Sequence, residues 1–173
     1  MEESLLVRQA EDGDSVKDKC LRLHHFLEKE SPEYFLKFKV PDKDLNRFIV
    51  MDVVFPCIRK TICFTKRYGH YMEGAGSIIQ MSTDVEDLKS AVQLKTEAIK
   101  KKNNKSWGEE QISIIRNLQL RYFTPREIAN LLCFPQTYSF PLDLSTIQLN
   151  RVLGNSLNVH VVSVLIRQLT REL

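Results

Sequence analysis

Three stretches of this 173-residue chain carry residue types that could bind or position chemistry. In the first, Arg59, Lys60, Cys63, Phe64, Thr65, Lys66, Arg67 and Tyr68 are followed closely by His70 and Tyr71. Cations interleaved with aromatic rings suit phosphate contacts plus base stacking, the combination that RNA loops require. The same pattern also suits a solvated strand end. The second stretch is Arg121-Tyr122-Phe123-Thr124-Pro125-Arg126-Glu127. Its threonine, with glutamate three residues on and proline at the first helical position, marks a helix start. The third is Gly154-Asn155-Ser156, just ahead of an apolar run. Polar side chains and the amides of a helix N-terminus suit an anionic carboxylate there. Equally, Gly154 and Asn155 can form a turn while Ser156 or Asn158 caps the helix.

Other chemistry is poorly supplied. His24 and His25 are adjacent, so on a helix they point about 100° apart and make no i,i+4 metal pair. Cys20 and His24 offer two ligands, too few for structural zinc. Cys20, Cys57, Cys63 and Cys133 contain no Cys-x-x-Cys pair, which argues against a zinc ribbon or a dithiol redox motif and for free thiols in a reducing compartment. Hydrophobic residues make up 43% and charged residues 27%, ordinary values for a soluble globular domain. A net charge of +3 is too small to identify a nucleic-acid partner by itself. No apolar run reaches membrane-spanning length, and neither a span nor a secretory signal is expected.

The elements that must position these stretches come from periodicity. Ser15 with Asp18 opens a helical pattern in which Val16, Cys20, Leu23 and Leu27 share a face, and Pro32 and Pro41 break the chain beyond it. Phe48–Phe55 and Lys60–Thr65 read as two strands joined through Pro56, and Ser77–Met81 as a third after a glycine-punctuated loop. Thr83 with Glu86 opens a helix with an apolar stripe of Val85, Leu88, Val92 and Ile99. The lysines at 100, 101, 102 and 105 end it in a polar loop, more simply a solvated helix end than a phosphate-binding patch. Ser106 with Glu109 opens another helix, with Ile112, Ile115 and Leu118 inward. A last helix runs from about Asn158, burying Val159, Val162, Ile166 and Leu169.

Taken in order, Cys63-Phe64-Thr65, the segment Arg121 to Pro135 and the string Leu153-Gly154-Asn155-Ser156-Leu157-Asn158-Val159-His160 resemble the C-terminal part of the cytosine-5 methyltransferases. Cys63-Phe64-Thr65 followed by Lys66-Arg67-Tyr68-Gly69 points to the branch that acts on tRNA. The resemblance covers roughly Asp14 to Leu173. It implies an α+β piece of a class I, Rossmann-like methyltransferase: most of the target-recognition region and the closing C-terminal helix, without the main cofactor-binding sheet. The implied divisions are a polar tail over 1–13, the recognition region over 14–120 and the closing motifs over 121–173.

In that family S-adenosylmethionine is the methyl donor, a cysteine thiolate attacks C6 of the cytosine, and the base leaves its stack to react. The resemblance implies cofactor contact for Asn155 and Ser156. It implies an RNA-facing role for Arg59, Lys60, Cys63, Phe64, Thr65, Lys66, Arg67 and Tyr68, and a bracing role for Arg121, Thr124, Arg126 and Glu127. The expected partners are tRNA and a catalytic half absent from this chain, with DNA a weaker expectation; the expected compartment is the cytoplasm, with the nucleus second. No Phe-x-Gly-x-Gly, Pro-Cys-Gln, Glu-Asn-Val or Gln-x-Arg-x-Arg occurs. Cys57 follows Pro56 but precedes Ile58-Arg59, so it is a decoy and the chain alone is expected to be inactive. Alternatives are an inactive RNA-binding or regulatory product and a DNA-directed paralogue. Cys133 stands where the family usually has glycine, placing a side chain in a helix-ending turn. The final helix carries more apolar surface than one stripe needs, which implies an exposed patch.

Overall fold

The computed structural model describes residues 20–100 and 107–171. A small three-stranded sheet, ordered β1-β2-β3, divides two apolar clusters. β1 (Val53–Val54) runs parallel to β2 (Ile78–Gln80), and β3 (Leu120–Tyr122) runs antiparallel to it. Successive strand residues point to opposite faces. Val53, Ile78 and Leu120 therefore enter one cluster, with Leu45, Phe48, Met51, Ile112, Ile115 and Leu118. Val54 and Ile79 enter the other, with Tyr68, Phe123, Ile128 and Leu153. The strand expected at Ser77–Met81 is present, while β3 carries no strand signal in the sequence pattern. The expected division at 120/121 falls inside β3, so the two portions share one sheet.

Several expected elements differ. Phe48–Val50 is a 3-10 turn, and only two residues of the expected Phe48–Phe55 strand join the sheet. Lys60–Thr65 belongs to no ladder; it is pinned singly, Ile62 N–H to Ser77 Oγ (3.0 Å) and Thr65 N–H to the Ala75 carbonyl (2.8 Å). Phe48, Met51, Val53 and Val54 are buried with little ladder pairing, while no residue of Lys60–Thr65 is fully buried; periodicity cannot distinguish either case from a strand. Cys57 accordingly sits in no hairpin.

Near the start, Ser15, Val16 and Asp18 lie outside the described residues. From Cys20 onward there is only a 3-10 turn over Leu23–His25. The amides of Leu23 and His24 donate sideways to the carbonyls of Ile58 and Pro56, both at 2.8 Å, so they are unavailable to a helix. Leu23 and Leu27 nevertheless pack in the same cluster. Pro32 opens α1 (Pro32–Phe35) at its first turn, and Pro41 precedes α2 (Asp42–Leu45). Proline thus starts these helices, where its missing N–H costs nothing.

α3 (Val85–Lys100) begins one residue later than expected, with Asp84 Oδ1 accepting from the amides of Glu86 and Asp87. Its buried positions are Ala91 and Ala98, while Val85 and Ile99 are exposed. Lys101, Lys102, Lys105 and Ser106 lie outside the described residues. α4 (Glu109–Asn117) follows Gly108 and buries Ile112 and Ile115 as expected, with Leu118 just beyond it also buried. α5 (Pro125–Leu131) and α6 (Thr146–Leu153) pack together on the second face of the sheet and precede α7 (Val159–Leu169). α7 buries none of its residues, contrary to the expectation for Val159, Val162, Ile166 and Leu169. Its start is tied down by Val159 N–H donating to the Leu132 carbonyl (2.8 Å). No helix among the described residues is long and apolar enough to cross a membrane.

Candidate RNA and cofactor interface

The second face of the sheet brings the three chemical stretches together. Gly154 ends α6 with an ordinary helical φ of −69°, so conformation does not demand glycine there. Space does: a Cβ would land inside the peptide joining Thr65 to Lys66. The Gly-Asn-Ser string and the Cys-Phe-Thr segment are therefore in backbone contact, across almost ninety residues of chain.

Thr65 to Tyr71 folds as two tight turns. Tyr68 N–H donates to the Thr65 carbonyl (2.9 Å), and His70 and Tyr71 both donate to the Arg67 carbonyl (3.0 and 2.9 Å). Tyr68 is only 2% exposed. Its hydroxyl donates to the Ser77 carbonyl (2.7 Å) and accepts from Phe123 N–H (2.8 Å), stitching the turns to the sheet and to the start of α5. Burial pushes this phenol well above its ordinary range, against the opposing pull of the Phe123 bond. Phe64 packs edge-on to both Tyr68 (4.9 Å) and Phe123 (5.2 Å). Gly76 lets the Tyr68 and Phe64 rings approach, since its missing side chain would meet them.

Two of the expected RNA-facing residues are thus scaffold. Tyr68 offers no face for stacking, and Phe64 spends its ring on neighbours. Cys63, Lys66 and Arg67 are exposed, Thr65 is half-buried and Lys60 is exposed. Arg59 Nε donates to the Cys20 carbonyl (2.9 Å), so part of its guanidinium holds the neighbouring segment. Sequence reasoning missed Arg47, whose guanidinium lies 5.5 Å from the Tyr71 ring centre.

The bracing residues form a buried network. Arg121, on β3 opposite Ile79, faces α5 and makes a two-pronged ion pair with Glu127, both contacts at 2.8 Å. Glu127 also accepts from Thr124 N–H (2.9 Å), completing the expected capping box with Thr124 Oγ1. From further away, Glu28 joins through its own amide to Glu127 and through its carboxylate to the Thr124 hydroxyl and Tyr34. Phe35 stacks on the Arg121 guanidinium at 4.4 Å. Burial and the Glu28 charge push the Tyr34 phenol up to about 12. Arg126 lies apart from this network, donating to the Tyr138 carbonyl and covering Phe140. Capping alone is enough to explain Glu127 from sequence; its larger duty as the partner of Arg121 has no local signal.

At the third stretch the turn geometry prevails. Asn155 and Ser156 donate their amides to Val152 (3.1 Å) and Leu153 (2.9 Å), finishing α6 instead of opening α7. Asn158 caps α7, its Oδ1 accepting from Val161 N–H (3.1 Å). Neither Asn155 nor Ser156 therefore has a free helix-terminal amide for a carboxylate; the Ser156 hydroxyl bonds Val152, and the Asn155 side chain is exposed. A cleft of about 580 Å³ beside Phe35, Lys39, Leu120 and Arg121 involves neither residue. Among the described residues no cluster could hold a metal ion.

This arrangement has known counterparts. The family model described as C-5 cytosine-specific DNA methylase matches residues 17–171, nearly the whole chain. The chain belongs to the C-5 cytosine methyltransferase family. Within it, the chain is 43% identical over 162 residues to a human protein named tRNA (cytosine(38)-C(5))-methyltransferase, covering 92% of this chain and 38% of the relative. A Spodoptera frugiperda protein of the same name is 38% identical over 76% of this chain and 37% of its own length. A Dictyostelium discoideum protein named DNA (cytosine-5)-methyltransferase is 33% identical over 91% of this chain and 37% of its own. Crystal structures of a Spodoptera frugiperda DNMT2 mutant and of Schizosaccharomyces pombe Dnmt2 superpose with TM-scores of 0.70 and 0.69, at 36% and 32% identity. They cover 84% and 94% of this chain and 41% and 44% of theirs. The chain thus spans about two fifths of the relatives it matches.

Proposed function

We propose that this chain is the tRNA-recognition and closing portion of an S-adenosylmethionine-dependent tRNA cytosine-5 methyltransferase acting on an anticodon-loop cytosine of the tRNA-Asp type. The observation that carries it is the seating of Gly154 on the Thr65–Lys66 peptide, which brings the closing string into backbone contact with the tRNA-branch triplet. In this reading residues 14–120 form the recognition region and 121–173 the closing motifs.

Lys66 and Arg67 supply exposed cations for phosphate on the turns that Tyr68 anchors, and exposed Lys60 adds a third. The cofactor, when bound, supplies the electrophilic methyl group. The exposed Asn155 carboxamide fits one polar edge of such a cofactor, with Ser156 beside it. Their committed amides mean that its carboxylate is held by other residues. The nucleophilic thiolate comes from outside this chain, since no Pro-Cys-Gln occurs. α7 offers its apolar face to the catalytic half that carries it, in the cytoplasm where mature tRNA resides. The chain alone then binds tRNA but does not methylate it.

Incubating the pure 173-residue protein with tRNA and labelled methyl donor tests both parts. Submicromolar, salt-sensitive gel-shift binding with no label incorporated is the expected outcome. Turnover by the chain alone contradicts the division of labour, and absence of binding at low salt contradicts tRNA recognition. The DNA-directed reading, favoured by the Dictyostelium relative's name, requires tighter binding to duplex DNA than to tRNA.

A further inference from the structure

With Tyr68 buried and Phe64 packed inward, Tyr71 is the phenol of the basic-aromatic surface left exposed to meet a base. Tyr71 is 42% exposed. The second of the two turns sets its position, its amide bonded to the Arg67 carbonyl at 2.9 Å. Arg47, brought from the segment after α2, sets its guanidinium 5.5 Å from the ring centre, within cation–π range. His70, Lys66 and Arg67 lie exposed on the same pair of turns. The ring is backed by a cation from a distant segment, with two more exposed on its own loop.

We infer that Tyr71, backed by Arg47, is a stacking platform for one unpaired nucleobase of an RNA loop, with Lys66 and Arg67 taking the flanking phosphates. This deepens the tRNA reading and rests on it. Every base has a π-face, so the platform orders the loop without reading its sequence. A single-stranded loop can splay a base onto such a ring, whereas a continuous duplex keeps its bases stacked. The platform therefore favours RNA loops over duplex DNA, and Arg47 completes it from outside the Cys-Phe-Thr segment.

Fluorescence anisotropy of a labelled anticodon stem-loop RNA with the full chain tests this. Tyr71→Ala is expected to weaken binding by about tenfold, the size of one base–aromatic contact. Its log–log salt slope is expected to stay unchanged, because no phosphate contact is lost. Y71W is expected to keep the affinity and to show emission quenched on binding, above the Trp107 background. An RNA with abasic loop nucleotides is expected to bind wild type and Tyr71→Ala alike. Wild-type binding with Tyr71→Ala within twofold of it, or unquenched Y71W emission, overturns the platform and leaves tRNA recognition standing. No binding by wild type at low salt overturns the tRNA reading, and the platform with it. Y71W carries the test even if the alanine variant folds poorly.

Discussion

Gly154 and Cys133 illustrate two different reasons for caring about a missing or present Cβ. At Gly154 the backbone is ordinary and the obstacle is the Thr65–Lys66 peptide, which cannot move aside as a flexible side chain would. Gly154→Ala is expected to destabilise the chain by about 1–3 kcal/mol, the usual size of a small overpacking change. A urea midpoint unchanged by this variant would show that the two segments do not touch. At Cys133 the obstacle is conformation: φ is +59°, just past the end of α5. An L residue there costs about 1–2 kcal/mol, partly offset by glycine's greater freedom when unfolded. Cys133→Gly is therefore expected to raise stability by about 0.5–1 kcal/mol, read as a higher denaturation midpoint; a lower midpoint contradicts the strain. The departure at Cys133 is readable from sequence because glycine at a helix end has a local meaning. The Arg121–Glu127 pair is not, because it depends on β3 turning Arg121 toward α5. Replacing Glu127 by Gln leaves a buried guanidinium short of its charge partner, and a loss of about 3–5 kcal/mol is expected in the same measurement.

Helix starts are legible only in part. The Thr124 box, the Asn158 cap and the Ile112–Ile115–Leu118 face come from spacing, but Asp84 and not Thr83 caps α3, α4 starts after Gly108, and the Ser145–Gln148 box that opens α6 goes unread. Of the strands, Ile78–Gln80 is legible and Val53–Val54 falls within a longer expected run, whereas β3 is not, because a ladder needs a partner that no short window contains. Lys60–Thr65 has strand-like residues but meets Ser77 and Ala75 one bond at a time. α7 departs from its pattern for a different reason. Its periodicity announces burial, yet Leu165 and Ile166 are 57% and 55% exposed, because none of the described residues covers that face. The exposed patch expected from its composition is present. Leu165→Glu is expected to change the stability of this chain by less than about 0.5 kcal/mol while reducing binding of an apolar-surface dye. A clear loss of stability would show that the face is packed within the chain.

For the whole molecule, the sheet joins the segments on either side of residue 120, and the half-buried phenols of Tyr122 and Tyr34 give the fold an alkaline limit. Burial, with help from Asp44, pushes Tyr122 up to about 12, as burial and Glu28 do for Tyr34. A raised phenol pKa favours the neutral form in the folded state. Its contribution is complete below the unfolded value near about 10 and is lost as pH rises through about 12. Stability is therefore expected to fall across that window, with the absorbance of ionised tyrosine appearing as the fold is lost. Simultaneous ionisation of all tyrosines near about pH 10 in folded protein contradicts the burial. At this scale the sequence motifs identify the family, while the contact that unites them, Gly154 on Thr65–Lys66, requires the fold. The most direct test of tRNA recognition is a competition measurement: anisotropy of labelled tRNA bound to the 173-residue chain, titrated with unlabelled tRNA or duplex DNA at several salt concentrations. Unlabelled tRNA is expected to displace the probe at lower concentration than duplex DNA throughout. Equal or stronger displacement by duplex DNA would contradict tRNA recognition.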